Sequence, residues 1–215
     1  MDLSDTMPDR LTRPTREETQ ATTRRRLLDA ATAVFVRDGF HAASVHAVAE
    51  HAGYSSGAVY SNFPGKDALF LAVFDRHIEA RSDALGVALV GAHDVRDLVE
   101  RVARWFASFM DDTPAWPLLA MEVTIRARRS PELAEALAHR HRATLDALAD
   151  ALEHQSRRFL LPLPRPPHEL AAALFALGHG LVVHQILDPS APTRQVFTDA
   201  LITLLGLPSV ARSNR

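Results

Sequence analysis

Among the side chains from Ser44 to Lys66, Ser44, Ser55, Ser56, Tyr60, Ser61, Asn62 and Lys66 carry hydrogen-bonding groups suited to a polyanion. Serine and tyrosine hydroxyls can donate to phosphate oxygens, and an asparagine amide can meet a base edge. Gly57 and Ala58 lie among them. Small residues let a backbone approach bases, and the Ala58 methyl could meet a thymine methyl. Lys66 opens a further helix, where its charge and the positive helix end both favour a phosphate. The chemistry this set fits is DNA recognition. Bond-making chemistry finds no support: the chain shows no Ser-His-Asp grouping, paired-carboxylate motif, phosphate loop or metal signature.

The elements that must position these groups are legible in SVHAVAEHAGYSSGAVYSNFPGK, residues 44–66. Ser44 can cap a first short helix, whose apolar face is Val45, Val48 and Ala49. Gly53 ends it, because glycine takes the left-handed conformation a helix stop needs. Ser55 can cap a second helix, anchored by Val59 and Phe63 four residues apart. Two short helices around a tight turn form a helix-turn-helix, which sets its second helix in the DNA major groove. A plain αα-hairpin is the competing reading of the same spacing.

The flanks add a resemblance. Residues 24–63, RRRLLDAATAVFVRDGFHAASVHAVAEHAGYSSGAVYSNF, followed by FPGKDALFLAV, resemble the DNA-binding domain of the TetR family of bacterial transcriptional regulators. The likeness covers a quarter to a third of the chain. Three positions depart from the family pattern. Tyr54 stands where a small aliphatic residue is usual, Ser56 where a basic residue is frequent, and Gly65 where a serine or threonine caps the fourth helix. The second departure removes one DNA contact. The resemblance implies a repressor acting as a homodimer on a palindromic operator, with the last two helices forming a four-helix bundle across the dimer. It also implies that Tyr60 and Lys66 grip the DNA backbone.

Composition agrees with a local DNA-binding surface on an otherwise acidic body. The 215 residues carry a net charge of −2, so this is not a generally basic protein. From Arg10 to Lys66, basic residues outnumber acidic ones eight to five, which leaves the remainder at −5. There is no cysteine, hence no disulfide or thiolate chemistry. No apolar run is expected to reach the roughly 18 residues of a membrane span, and the N-terminus lacks a signal-peptide core. A cytoplasmic protein without membrane partners is expected.

Apolar periodicity predicts an all-α fold of about nine helices. Residues 1–14 are expected to be a disordered arm whose arginines reach a minor groove. Residues 15–65 are expected to form a three-helix helix-turn-helix DNA-binding domain, starting at a Thr15–Glu18 capping box and with the first helix stopped at Asp38-Gly39. Residues 66–215 are expected to form a helical effector-binding and dimerisation domain, with helix 66–89 linking the two bodies. Gly178 and Gly180 interrupt the helix at 168–187, and each costs about 1 kcal/mol against alanine. Close helix–helix approach would offset that, which agrees with a dimer. The other reading is that these helices simply complete the monomer core.

The resemblance also implies a small-molecule pocket between helices four and eight. The candidates are Trp105, Phe109, Trp116, Met121, Glu122, Ile125, His141, Phe175 and His179. Glu122, inside LLAMEVTI, must be paired or protonated if buried. It could receive a cationic or hydroxylated ligand, or be satisfied by a neighbouring Arg or His. His139, His141, His179 and His184 are spaced by two and five residues, which does not put two ligands on one helical face, so no metal or other cofactor is expected. The leading function is a ligand-responsive transcriptional regulator. The alternative is an all-helical small-molecule binder or enzyme with an incidental helix-turn-helix.

Overall fold

The computed structural model describes residues 15–111 and 115–207, with the side chains of 109–111 outside that set. The expected N-terminal arm, residues 1–14, also lies outside the described residues. Nine helices and no strand form among the described residues. They are α1 (Arg16–Ala42), α2 (Val45–Ala52), α3 (Ser56–Asn62), α4 (Lys66–Val90), α5 (Val95–Asp111), α6 (Ala115–Ala127), α7 (Pro131–Arg158), α8 (Pro167–Leu187) and α9 (Thr193–Leu204). The helix starts follow local chemistry. Thr15 Oγ1 accepts from the Glu18 N–H at 3.2 Å, and Glu18 returns the bond to the Thr15 N–H at 2.7 Å. Ser130 caps α7 ahead of a proline in its first turn. Gly39 interrupts α1 with φ 77° and ψ 168°, which sets the stop expected at Asp38-Gly39 inside the element rather than at its end.

Two apolar cores hold the helices. The first gathers Leu27, Val34 and Phe35 of α1, Val48 of α2, Val59 of α3, and Leu69, Phe70 and Val73 of α4. Phe70 meets Phe35 and Phe40 edge-on at 5.4 and 5.2 Å and stacks on Phe74 at 5.9 Å. Leu119, Val123 and Ala127 of α6 and Leu133 of α7 belong to this same core. The core therefore runs across residue 65, and α6 lies against α1. The second core joins Val99 and Phe106 of α5, Leu170 and Leu181 of α8, and Phe197 and Leu201 of α9. Phe106 and Phe197 stack with centroids 3.9 Å apart.

Arginines tie α4 to its neighbours along its length. Arg126 of α6 forms a two-bonded pair with Asp67 at 2.9 and 3.0 Å. Arg140 of α7 does the same with Asp75 at 2.5 and 2.7 Å. Arg76 of α4 reaches Asp29 of α1 at 2.6 Å. At the far end, Arg158 donates to the carbonyls of Leu89, Val90 and Ala92. These carbonyls lie in the last turn of α4 or just after it, where the regular helical ladder runs out, and a cation there also opposes the negative helix end. Arg158→Ala should lower stability by about 1–2 kcal/mol, and Arg158→Lys should recover only part of it because an ammonium lacks the fork. Urea unfolding checks this; an unchanged midpoint for Arg158→Ala would remove the clamp from the account.

α8 corrects one expectation. By length and composition alone this 21-residue helix is long and apolar enough to cross a membrane, contrary to the expectation that no apolar run reaches that length. Histidines and a glutamine break the run without making the helix polar. Leu170, Ala171, Leu181 and Val182 are buried, whereas the exposed face carries Ala172, Ala176, Gly180 and Leu187 together with His179 and His184.

Candidate nucleic-acid interface

The helix-turn-helix forms as its spacing predicts. Ser44 Oγ accepts from the Ala47 N–H at 3.0 Å and starts α2. Gly53 ends that helix in the left-handed conformation at φ 72°, and the Tyr54 N–H folds back to the Ala49 carbonyl at 2.9 Å. Ser55 Oγ accepts from the Ala58 N–H at 3.2 Å and starts α3. Val59 and Phe63 are buried and fix which face of α3 points inward. The outward face carries Gly57, Tyr60 and Ser61, with Ser56, Ala58 and Asn62 partly covered. Tyr60 is 58% exposed, so its ring and hydroxyl stand free of the domain.

The other polar side chains of this surface are already partly committed. Ser44 and Ser55 accept helix-capping bonds and keep their hydroxyl protons for a phosphate. Ser61 Oγ and Asn62 Nδ2 both donate to the Ala58 carbonyl at 2.9 Å. They serve the last turn of α3, a seven-residue helix with few internal bonds of its own. Ser56 Oγ lies 3.4 Å from His46 Nδ1. His46 is a surface residue that the sequence reading passed over. Its signal was its place one residue after the buried Val45, on the face of α2 that turns from the core.

Lys66 differs from the free phosphate ligand expected of it. Its ammonium donates to the carbonyls of His41 and Ala43 at 3.0 and 2.7 Å and lies 4.7 Å from the centre of the Phe40 ring. Burial, then the nearby Arg126 guanidinium, hold its pKa below the ordinary lysine value. Two of its three N–H groups thus bind the α1–α2 corner, because the chain after the Gly39 kink leaves those carbonyls outside any helix ladder. Gly65 supplies no side-chain cap to α4. Tyr54 ties the turn to α1: hydrogen bonds with Thr23, then with Arg26, lower the pKa of its hydroxyl.

The expected effector residues with described side chains are spread over several packing environments. Glu122 belongs to the α1–α2 corner instead. Its Oε2 accepts the His41 N–H at 3.0 Å, and a Cβ on Gly39 would lie 2.9 Å from its Oε1. Trp116 stacks on His77 at 4.1 Å, and Trp105 exchanges bonds with Arg81, donating from Nε1 to its carbonyl at 3.1 Å. Met121 and Ile125 face solvent at 42% and 70% exposure, because α6 turns its other face to α1. His141, Phe175 and His179 do form one ring cluster between α7 and α8, with centroids 4.9 and 4.2 Å apart. The side chain of Phe109 lies outside the described residues. A groove of about 930 Å³ opens elsewhere, between α5 and the start of α9. Arg104, Gln185, Thr193 and Arg194 line it, and none of the eight candidates with described side chains does. No group of three or more metal-ligating side chains occurs among the described residues.

Comparison with known proteins supplies the context. A family model described as bacterial regulatory proteins, tetR family, matches residues 27–73. A second, for the tetracyclin repressor-like C-terminal domain, matches residues 92–207. The HTH-type transcriptional regulator UidR of Escherichia coli is 26% identical over 136 residues, which are 63% of this chain and 67% of that protein. The HTH-type nicotine-responsive transcriptional repressor HdnoR of Paenarthrobacter nicotinovorans is 27% identical over 184 residues, covering 83% of this chain and 91% of its own. A crystal structure of a putative TetR-family transcriptional regulator from Mesorhizobium loti shares the fold with a TM-score of 0.70 at 22% identity, over 89% of this chain and 98% of that one.

Proposed function

The chain belongs to the TetR family of bacterial regulatory proteins, and from that premise we propose that it is a ligand-responsive repressor that grips a palindromic operator as a homodimer. A small molecule bound in the C-terminal body releases it. Family membership makes the chain a helix-turn-helix transcriptional regulator and answers the alternative of an enzyme with an incidental motif. Acting on DNA, it works in the cytoplasm.

The observation that carries the responsive part is the joint between α6 and the reading head. Glu122 holds the His41 N–H, and four residues on, Arg126 holds Asp67 at the start of α4. A shift of α6 therefore acts on both α1 and α4. The linking role expected of helix four is shared with α6. An effector can drive this only by binding one arrangement of α6 better than the other. The α5–α9 groove and the ring cluster of α7 and α8 are the places in the C-terminal body where such a ligand would fit.

Ser44, Ser56, Gly57, Ala58 and Tyr60 form the DNA-contacting set, with Ser55, Ser61, Asn62 and the remaining N–H of Lys66 at its edges. Without an Arg, Lys or Gln on α3, part of the specificity comes from DNA shape. Selection of bound sequences from random duplexes tests the proposal. The expected result is a palindrome whose half-site centres lie about one helical turn, roughly 34–36 Å, or a multiple of it apart. Tyr60→Phe should then weaken every sequence alike, by about fivefold for one lost phosphate hydrogen bond. A pool with no enriched palindrome would reject the operator reading, and a change in base preference at one position would reject the role of Tyr60.

A further inference from the structure

Arg24 is one of the basic residues that give the N-terminal region its positive charge, yet its side chain turns to the recognition helix. Its Nη1 donates to the Asn62 carbonyl at 2.9 Å, at the last residue of α3. Its guanidinium also lies over the Phe63 ring, 4.2 Å from the centroid. We propose that Arg24 is a positioning residue for DNA reading: it fixes the C-terminal end of α3 against α1 and so sets the angle at which α3 enters the groove. This rests on the DNA-binding reading above and assigns a role within that site.

The local chemistry calls for such a tie. α3 has seven residues, and its closest packing is with α2. A helix leaves its last four carbonyls without internal partners. In α3 the Val59 carbonyl takes the Phe63 N–H, and the Ala58 carbonyl takes Ser61 and Asn62 side chains. The Asn62 carbonyl takes Arg24, thirty-eight residues earlier in the chain. Among these bonds it is the one that joins α3 to another helix. A cation at that end also meets the negative end of the helix. The fork and the flat face act together, one on the carbonyl and one on the ring, which a lysine ammonium cannot reproduce.

The test separates positioning from phosphate binding. Binding to the selected operator and to random DNA is measured at several salt concentrations for the wild type, Arg24→Gln and Arg24→Lys. A phosphate ligand, once removed, lowers the slope of log affinity against log salt by about 0.9. Arg24→Gln should instead lower operator affinity by about tenfold with the slope unchanged. It should also relax base preference at the positions under α3, and Arg24→Lys should fail to restore that preference although it restores the charge. A slope lowered by about one unit with preference intact would make Arg24 a phosphate ligand and overturn the proposal, as would operator binding that does not change. If Arg24→Gln does not fold by circular dichroism, Arg24→Lys decides on base preference: relaxed preference supports positioning, and unchanged preference overturns it. A wild type that enriches no sequence would reject the DNA-binding reading itself, and the role of Arg24 with it.

Discussion

Gly180→Arg should leave a folded chain that sediments as a monomer and no longer retards palindromic DNA. The two glycines of α8 have opposite surroundings. A Cβ on Gly178 would lie 3.5 Å from the Phe106 ring, in ordinary contact with the edge of the second core, whereas a Cβ on Gly180 would meet nothing within 4 Å. Gly180 shares the exposed face of Ala172 and Ala176. Glycine in a helix interior costs about 1 kcal/mol against alanine, and nothing in the monomer offsets that at Gly180. A second α8 lying close against that face would. An arginine there improves the helix locally but puts a charge and a long side chain where the partner must pack. Loss of operator retardation should be complete, because two half-sites have to be held together. Gly180→Ala should stay dimeric. Gly178→Arg should lower stability more than Gly180→Arg, since its side chain must pass the Phe106 ring. Sedimentation at micromolar concentration decides the matter: a monomeric wild type, or a dimeric Gly180→Arg, would reject both the dimer and the paired-head mechanism.

Phe70→Ala should cost about 3–5 kcal/mol, and the loss should be felt in α6 as well as in the reading head. Phe70 is 1% exposed and touches three other phenylalanine rings. The core around it includes Leu119 and Val123, which lie some fifty residues later, and Trp116 packs against it. Trp105 packs against the second core. These are the two tryptophans of the chain, so single-tryptophan variants report one core each. With Trp116 alone, Phe70→Ala should shift the urea midpoint by the full loss. With Trp105 alone, the shift should match only if the two cores unfold as a unit. A Trp116 transition unmoved by Phe70→Ala would mean that α6 does not share the core of the reading head.

The helix-turn-helix was open to sequence reading because its signals are local. Ser44 and Ser55 cap the helices that follow them, Gly53 takes the left-handed turn, and Val59 and Phe63 turn α3 inward. Each depends on residues no more than a few positions apart, which is the range over which caps, turns and helical periodicity act. The boundaries of the later helices were legible for the same reason, from prolines and glycines that break the ladder. The facing of α6 was not. Trp116, Met121, Glu122 and Ile125 sit on one helix, and the sequence gives no means of telling which side of α6 meets α1. Packing alone decides that, and it turns Glu122 to the corner after Gly39 and leaves Ile125 in solvent. The same holds for the cations. Composition counts Arg24 and Lys66 as charge for DNA, but tertiary structure turns both to carbonyls that helix ends leave unpaired. A carbonyl without a ladder partner must find a donor from wherever the fold brings one, and Arg24 and Lys66 reach theirs from 23 to 38 positions away.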